Sequence, residues 1–119
     1  MGLDMYLSRK ITDEVAYWRK ANAIHGWFIR NLANGEDDCR TIHVNMSDLH
    51  ALRDDVKKVL DEGTEEAVIE LLPPTPGFFF GSNEVDEYYW ECLKDTLTKL
   101  DDIIEHSTDD QEFEYHASW

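Results

Sequence analysis

Residues 12–35, "TDEVAYWRKANAIHGWFIRNLANG", carry the chain from a strand-like opening into helical spacing, and that change decides the fold class. Before them, Leu3, Met5 and Leu7 alternate with Asp4, Tyr6 and Ser8, the period-2 pattern of a half-buried strand. Within them, Thr12 or Asp13 caps a predicted helix, acids occupy its first turn, and Asn34-Gly35 ends it. At about 100° per residue, Tyr17, Ala21, Ile24, His25, Phe28 and Leu32, with Trp18, form one apolar face, while Trp27 falls on the other side with Lys20, Ala23 and Arg30. A tryptophan on a basic, non-core side is either covered by another element or an interface anchor.

Outward from this stretch, "RTIHVN" reads as a short strand. Ser47 is placed to cap a helix carrying Leu49, Leu52, Val56 and Val59 and ended by Gly63. Thr64 opens a shorter helix that Pro73 and Pro74 stop. "FFF" at 78–80 reads as a buried strand, and Ser82 or Asn83 opens a helix over 84–106. The tail alternates again, with Phe113, Tyr115, Ala117 and Trp119 on one side. The order β-α-β-α-α-β-α-β predicts a single compact α+β domain spanning 1–119. About four helical segments would pack on a small antiparallel or mixed sheet, with the first and last strands close together.

A chain of 119 residues, 42% of them hydrophobic, can build one core and is too short for two. No segment approaches the roughly 18 apolar residues of a membrane span, and "MGLDMYLSRK" has no secretory pattern. Cys39 and Cys92 match no paired motif, which fits free thiols and a cytoplasmic setting. The net charge of −15 is unevenly placed. Residues 1–60 hold nine acids and nine bases, whereas residues 61–119 hold seventeen acids against Lys94 and Lys99 alone. Such a field repels nucleic acid and anionic membranes and attracts basic surfaces.

No catalytic signature stands out. His25, His43, His50, His106, His116 and the two cysteines have no zinc spacing. "GFFFGSNE" lacks the spacing and the lysine of a phosphate cradle, and Glu84 occupies the helix end where a phosphate would sit. No cofactor is expected. The one grouping with catalytic residue types is His25 with Asp37, Asp38 and Cys39, the basis of an alternative reading as a small enzyme or metal-dependent hydrolase. Against it, neighbouring carboxylates raise a thiol's pKa, the wrong direction for a nucleophile.

The remaining feature is the acidic helix, "EVDEYYWECLKDTLTKLDDIIEH". Val85, Tyr89, Leu93, Leu100 and Ile104 mark its core face, and Glu84, Glu87, Glu91, Asp95, Asp102 and Glu105 line its back. The charges recur about every 5–6 Å over about 30 Å, a spacing comparable with that of phosphates along a nucleic-acid strand. The plain alternative is a solvated helix face.

The segments "MGLDMYL", "VAYWRKANAIHGWF", "GEDDC" and "GFFFGS" together resemble a family of small proteins encoded by phages, prophages and other mobile elements. This chain is shorter than such proteins between "MGLDMYL" and "VAYW". The resemblance implies a mobile-element context and no catalytic residue. With the charge, it leads to the expectation of a non-enzymatic inhibitor of a bacterial defence system, in the manner of acidic anti-CRISPR proteins. The carboxylates, with Trp27, would meet a basic nucleic-acid-binding surface of a host protein such as a CRISPR effector. Direct nucleic-acid or membrane binding is not expected. The chain would act as a monomer or homodimer, and a dimeric scaffold joined around Trp27 or Trp119 is a further alternative.

Overall fold

A computed structural model describes residues 3–8, 14–19, 21–36, 41–74, 85, 87–108 and 110–118. Its elements are β1 (Asp4–Ser8), β2 (Glu14–Arg19), α1 (Asn22–Leu32), β3 (Ile42–Asn45), α2 (Met46–Glu62), α3 (Glu65–Leu71), α4 (Glu87–Glu105) and β4 (Glu112–Ser118). The strands form one antiparallel sheet in the order β2-β1-β4-β3, so the first and last strands of the chain are neighbours, Tyr6 opposite His116. Leu3, Met5, Leu7, Ala16, Trp18, Ile42, Val44, Phe113, Tyr115 and Ala117 are buried on one side of the sheet with the helices. On the other side no strand residue whose side chain is described is buried. The result is the expected α+β domain, with its four described helices on one face of the sheet.

The stretch 12–35 is not one helix. Residues 14–19 form β2, with Met5 opposite Trp18 and Leu7 opposite Ala16, and α1 begins only at Asn22. Val15, half-buried against the core beside a register irregularity, and the exposed Tyr17 are as apolar as the buried Ala16 and Trp18, which hid the period of two. Tyr17, assigned to a helix's core face, is accordingly an exposed strand residue. Trp18 is buried, and its indole Nε1 donates to Thr96 Oγ1 at 2.9 Å, tying the edge strand to α4. Thr96 in turn donates to the Cys92 carbonyl at 2.8 Å, so this buried hydroxyl both accepts and donates.

The first two turns of α1 are enclosed on all sides, with every residue from Asn22 to Phe28 buried, and Arg30 and Asn31 of the last turn are exposed. Towards the sheet, His25 Nδ1 shares a 2.6 Å hydrogen bond with the Tyr115 hydroxyl, and Phe28 stacks on the Tyr115 ring with centroids 3.9 Å apart. On the opposite side, Trp27 is 2% exposed and its Nε1 donates to Asp55 Oδ2 of α2 at 2.8 Å. Trp27 is therefore a core residue and not a surface anchor. Of the two outcomes open for Trp27, cover by another element is the one found, because a helix wedged between a sheet and another helix has two covered faces. Asn34 and Gly35 end α1 at positive φ, as the sequence indicates.

The other helix boundaries follow local chemistry. Asn45, not Ser47, caps α2: its side chain accepts from the Asp48 amide while Asp48 accepts from the Asn45 amide, a reciprocal capping box. Gly63 closes α2 in the left-handed conformation and Thr64 caps α3 through the Ala67 amide. α4 packs along α2 and buries Tyr89, Leu93, Thr96, Leu100 and Ile103. The strand expected at 78–80, the cap at Ser82 or Asn83, and Trp119 lie outside the described residues.

Candidate partner-binding face

Burying the Tyr89–Ile103 side of α4 leaves its opposite side in solvent. Glu87, Glu91, Asp95, Asp101, Asp102 and Glu105 are all exposed, against only Lys94 and Lys99 on the same helix. From Glu87 to Glu105 the row runs about 27 Å at 1.5 Å per residue. Five of the six carboxylates expected from the sequence therefore share one surface, and Glu84 lies outside the described residues. Glu112 and Glu114 do not extend the row. They alternate with the buried Phe113 and Tyr115, so they point to the uncovered side of the sheet, where Glu112 meets His43 at 3.5 Å.

The cations near the row engage it only at intervals. Lys99 pairs with Asp95 one turn away, and Lys94 reaches Glu91 at 3.9 Å. His106 Nδ1 lies 3.3 Å from Asp102, and Arg53 of α2 lies 3.8 Å from Asp101. The Glu91, Asp95, Asp101 and Asp102 side chains are mostly solvent-exposed, so each pair contributes at most about 1 kcal/mol and the row stays strongly anionic. Glu87 in the first turn is favoured by the helix dipole, but the Glu87-Glu91-Asp95 succession at i,i+4 costs a few tenths of a kcal/mol per pair, by order of magnitude roughly offsetting it.

At the N-terminal half of this face, α4 meets the edge strand β2 in an open groove of about 450 Å³ lined by Tyr17, Trp18, Tyr88, Glu91, Cys92, Asp95 and Lys99, with Ala21. Lys99 Nζ stands 5.8 Å from the centre of the Trp18 ring, within cation–π range. Nothing in the sequence linked β2 to α4. Of the exposed aromatics, Tyr17 is assigned by sequence to a helix's core face, and no sequence signal singles out Tyr88.

Burial pushes the Cys92 thiol up, opposed by the Thr96 hydrogen bond, with the Asp95 charge adding to the rise and Lys99 opposing it. Burial also raises the Tyr89 phenol, helped by Cys92, while its hydroxyl donates to the Leu72 carbonyl at 2.7 Å. Both groups are thus held neutral in the folded state. Groups whose pKa is raised by folding contribute stability below their unfolded pKa and lose it as pH climbs. Urea unfolding midpoints are expected to be level between about pH 7 and 8 and to fall from about pH 9 upward, where the unfolded thiol and phenol ionise. The thiol titrates first, so Cys92→Ser should delay the onset of that fall. A midpoint that rises above pH 9 would contradict this environment.

The alternative grouping is not assembled by the described residues. His25 is buried in the core against Tyr115, and Asp37, Asp38 and Cys39 lie outside them. Among the described residues no three His, Cys, Asp or Glu side chains converge to hold a metal ion, and no helix is long and apolar enough to cross a membrane. Comparison with protein-family models, curated proteins and solved structures finds no match.

Proposed function

We propose that the chain is a non-enzymatic binding protein whose α4 carboxylate row docks on a basic, nucleic-acid-binding surface of another protein and keeps nucleic acid from it. The observation that carries this reading is the row itself: Glu87, Glu91, Asp95, Asp102 and Glu105 in solvent on one rigid helix, in a chain of net charge −15. A helix presents the charges at fixed separations, so little conformational entropy is lost on docking, and complementary potentials accelerate encounter with a Lys/Arg-lined groove. The resemblance to mobile-element proteins directs the choice of partner towards nucleic-acid-handling defence proteins of a bacterial host, CRISPR effectors among them. Such a protein would work in the host cytoplasm.

Capture from a bacterial lysate on the immobilised chain tests this. At about 50 mM salt the retained set should be dominated by nucleic-acid-binding proteins with basic grooves. They should elute by about 500 mM, because exposed ion pairs are screened over that range. A retained set unchanged at high salt would contradict a charge-based interface.

A further inference from the structure

We propose that the groove between β2 and α4 is the anchor point of this interface and takes an arginine side chain of the basic partner; the inference rests on the reading of α4 as the docking face. Tyr17, Ile69 and Tyr88 are the exposed large hydrophobic side chains among the described residues, and two of them, Tyr17 at 40% and Tyr88 at 54% exposure, line this groove. They come from elements far apart in sequence, so their convergence is a product of the fold and not of local composition. Exposed tyrosines beside carboxylates suit a planar cation. A guanidinium can stack on a phenol ring while its N–H groups donate to a carboxylate, which a compact ammonium does less well.

The groove already shows its preference. Lys99 turns its ammonium over the Trp18 ring and pairs with Asp95, so an internal cation is held there by an aromatic face and an acid together. With Asp95 engaged by Lys99, Glu91 is the carboxylate left to meet a partner, its contact to Lys94 being 3.9 Å long and exposed at both ends. Tyr17 is braced for the role: its hydroxyl donates to Asp4 Oδ1 at 2.6 Å and its ring lies 5.2 Å from that of Tyr6. A buried aromatic–arginine contact flanked by weaker charge pairs is the common anatomy of an interface hot spot.

The probe is an acetylated, amidated Gly-Arg-Gly-Arg-Gly peptide titrated into the full chain and followed by ¹H–¹⁵N NMR, with the Gly-Lys counterpart as comparison. The groove predicts the largest shifts at the amides of Tyr17, Tyr88 and Cys92 and at the Trp18 indole, and tighter binding of the arginine peptide. Tyr88→Ala and Glu91→Gln should each weaken binding by about fivefold, and Asp102→Asn, farther along the same face, by clearly less. Dispersed spectra of each variant will confirm folding. Shifts spread evenly along α4, with Asp102→Asn as damaging as Glu91→Gln, would overturn the groove while leaving the carboxylate row as docking face. No shifts at the groove at millimolar peptide would also overturn it.

Discussion

Trp27→Ala is expected to destabilise the fold by about 3–5 kcal/mol, the largest effect of any single substitution considered for this chain. Trp27 sits between α1 and α2 with its ring edge-on to Phe28, centroids 5.4 Å apart, and its indole hydrogen bond to Asp55 spans the two helices. Alanine removes the ring, leaves a cavity under α2 and takes the donor from a half-buried carboxylate. With total stabilities of about 5–15 kcal/mol usual for domains, the variant would lie near the edge of folding. Trp27→Phe should cost less, because most of the volume is kept and only the hydrogen bond is lost. Urea denaturation monitored by circular dichroism measures both. Were Trp27 a surface anchor, alanine would change stability by no more than about 0.5 kcal/mol.

Reversing Glu87, Glu91 and Asp95 together to lysine should leave folding within about 1 kcal/mol of the parent and abolish docking. The fall in net charge from −15 to −9 favours the variant, although lysines at 87, 91 and 95 beside Lys99 keep like charges at i,i+4. Loss of the Asp95–Lys99 pair and of an acid at the N-terminus of α4 opposes it. The two nearly balance because all three side chains project away from Tyr89, Leu93 and Leu100. Binding has no such compensation. Each reversal replaces an attraction to a Lys/Arg groove with a repulsion, and close charge pairs at interfaces couple by about 1.5–7 kcal/mol. A loss of about 3 kcal/mol or more, over a hundredfold in Kd, is expected by isothermal titration calorimetry. The comparison variant must avoid Asp55, whose carboxylate accepts from Trp27. Asp61→Lys with Glu62→Lys, at the C-terminal end of α2 where cations suit the helix dipole, should change Kd by less than about threefold.

The sequence was legible where one physical signal dominated. Period-2 alternation placed β1 and β4, glycine and threonine marked the ends of α2 and α3, and the exposure of Glu87, Glu91, Asp95, Asp102 and Glu105 on α4 followed from Tyr89, Leu93 and Leu100 defining the buried side, although Asp101 was not counted in the row. It was misread where two signals agreed by accident. In 14–19 both sides of the strand are apolar, and acids with a potential cap preceded it, so helical spacing absorbed a strand. The two alternatives for Trp27 stayed open for a separate reason: the helical wheel of an amphipathic element has no way to represent a helix covered by the sheet on one side and by α2 on the other. Asn45 was missed as the cap because the β3 strand runs straight into α2 without a loop to announce the boundary. The groove was invisible for a different reason: Tyr17 and Tyr88 line one groove only because the fold sets β2 beside α4, and sequence spacing carries no trace of it.

The most direct measurement of the central claim is displacement. A captured partner is loaded with fluorescently labelled nucleic acid, and the chain is titrated in while anisotropy reports the bound label. If the α4 row occupies the nucleic-acid groove, the label is released completely as the chain saturates the partner. The apparent affinity should weaken steeply as salt rises from about 50 to about 300 mM, and the Glu87/Glu91/Asp95 reversal should release none. A ternary complex, with anisotropy unchanged or raised at saturating chain, would show that the acidic face docks elsewhere and that nucleic-acid exclusion is not its function.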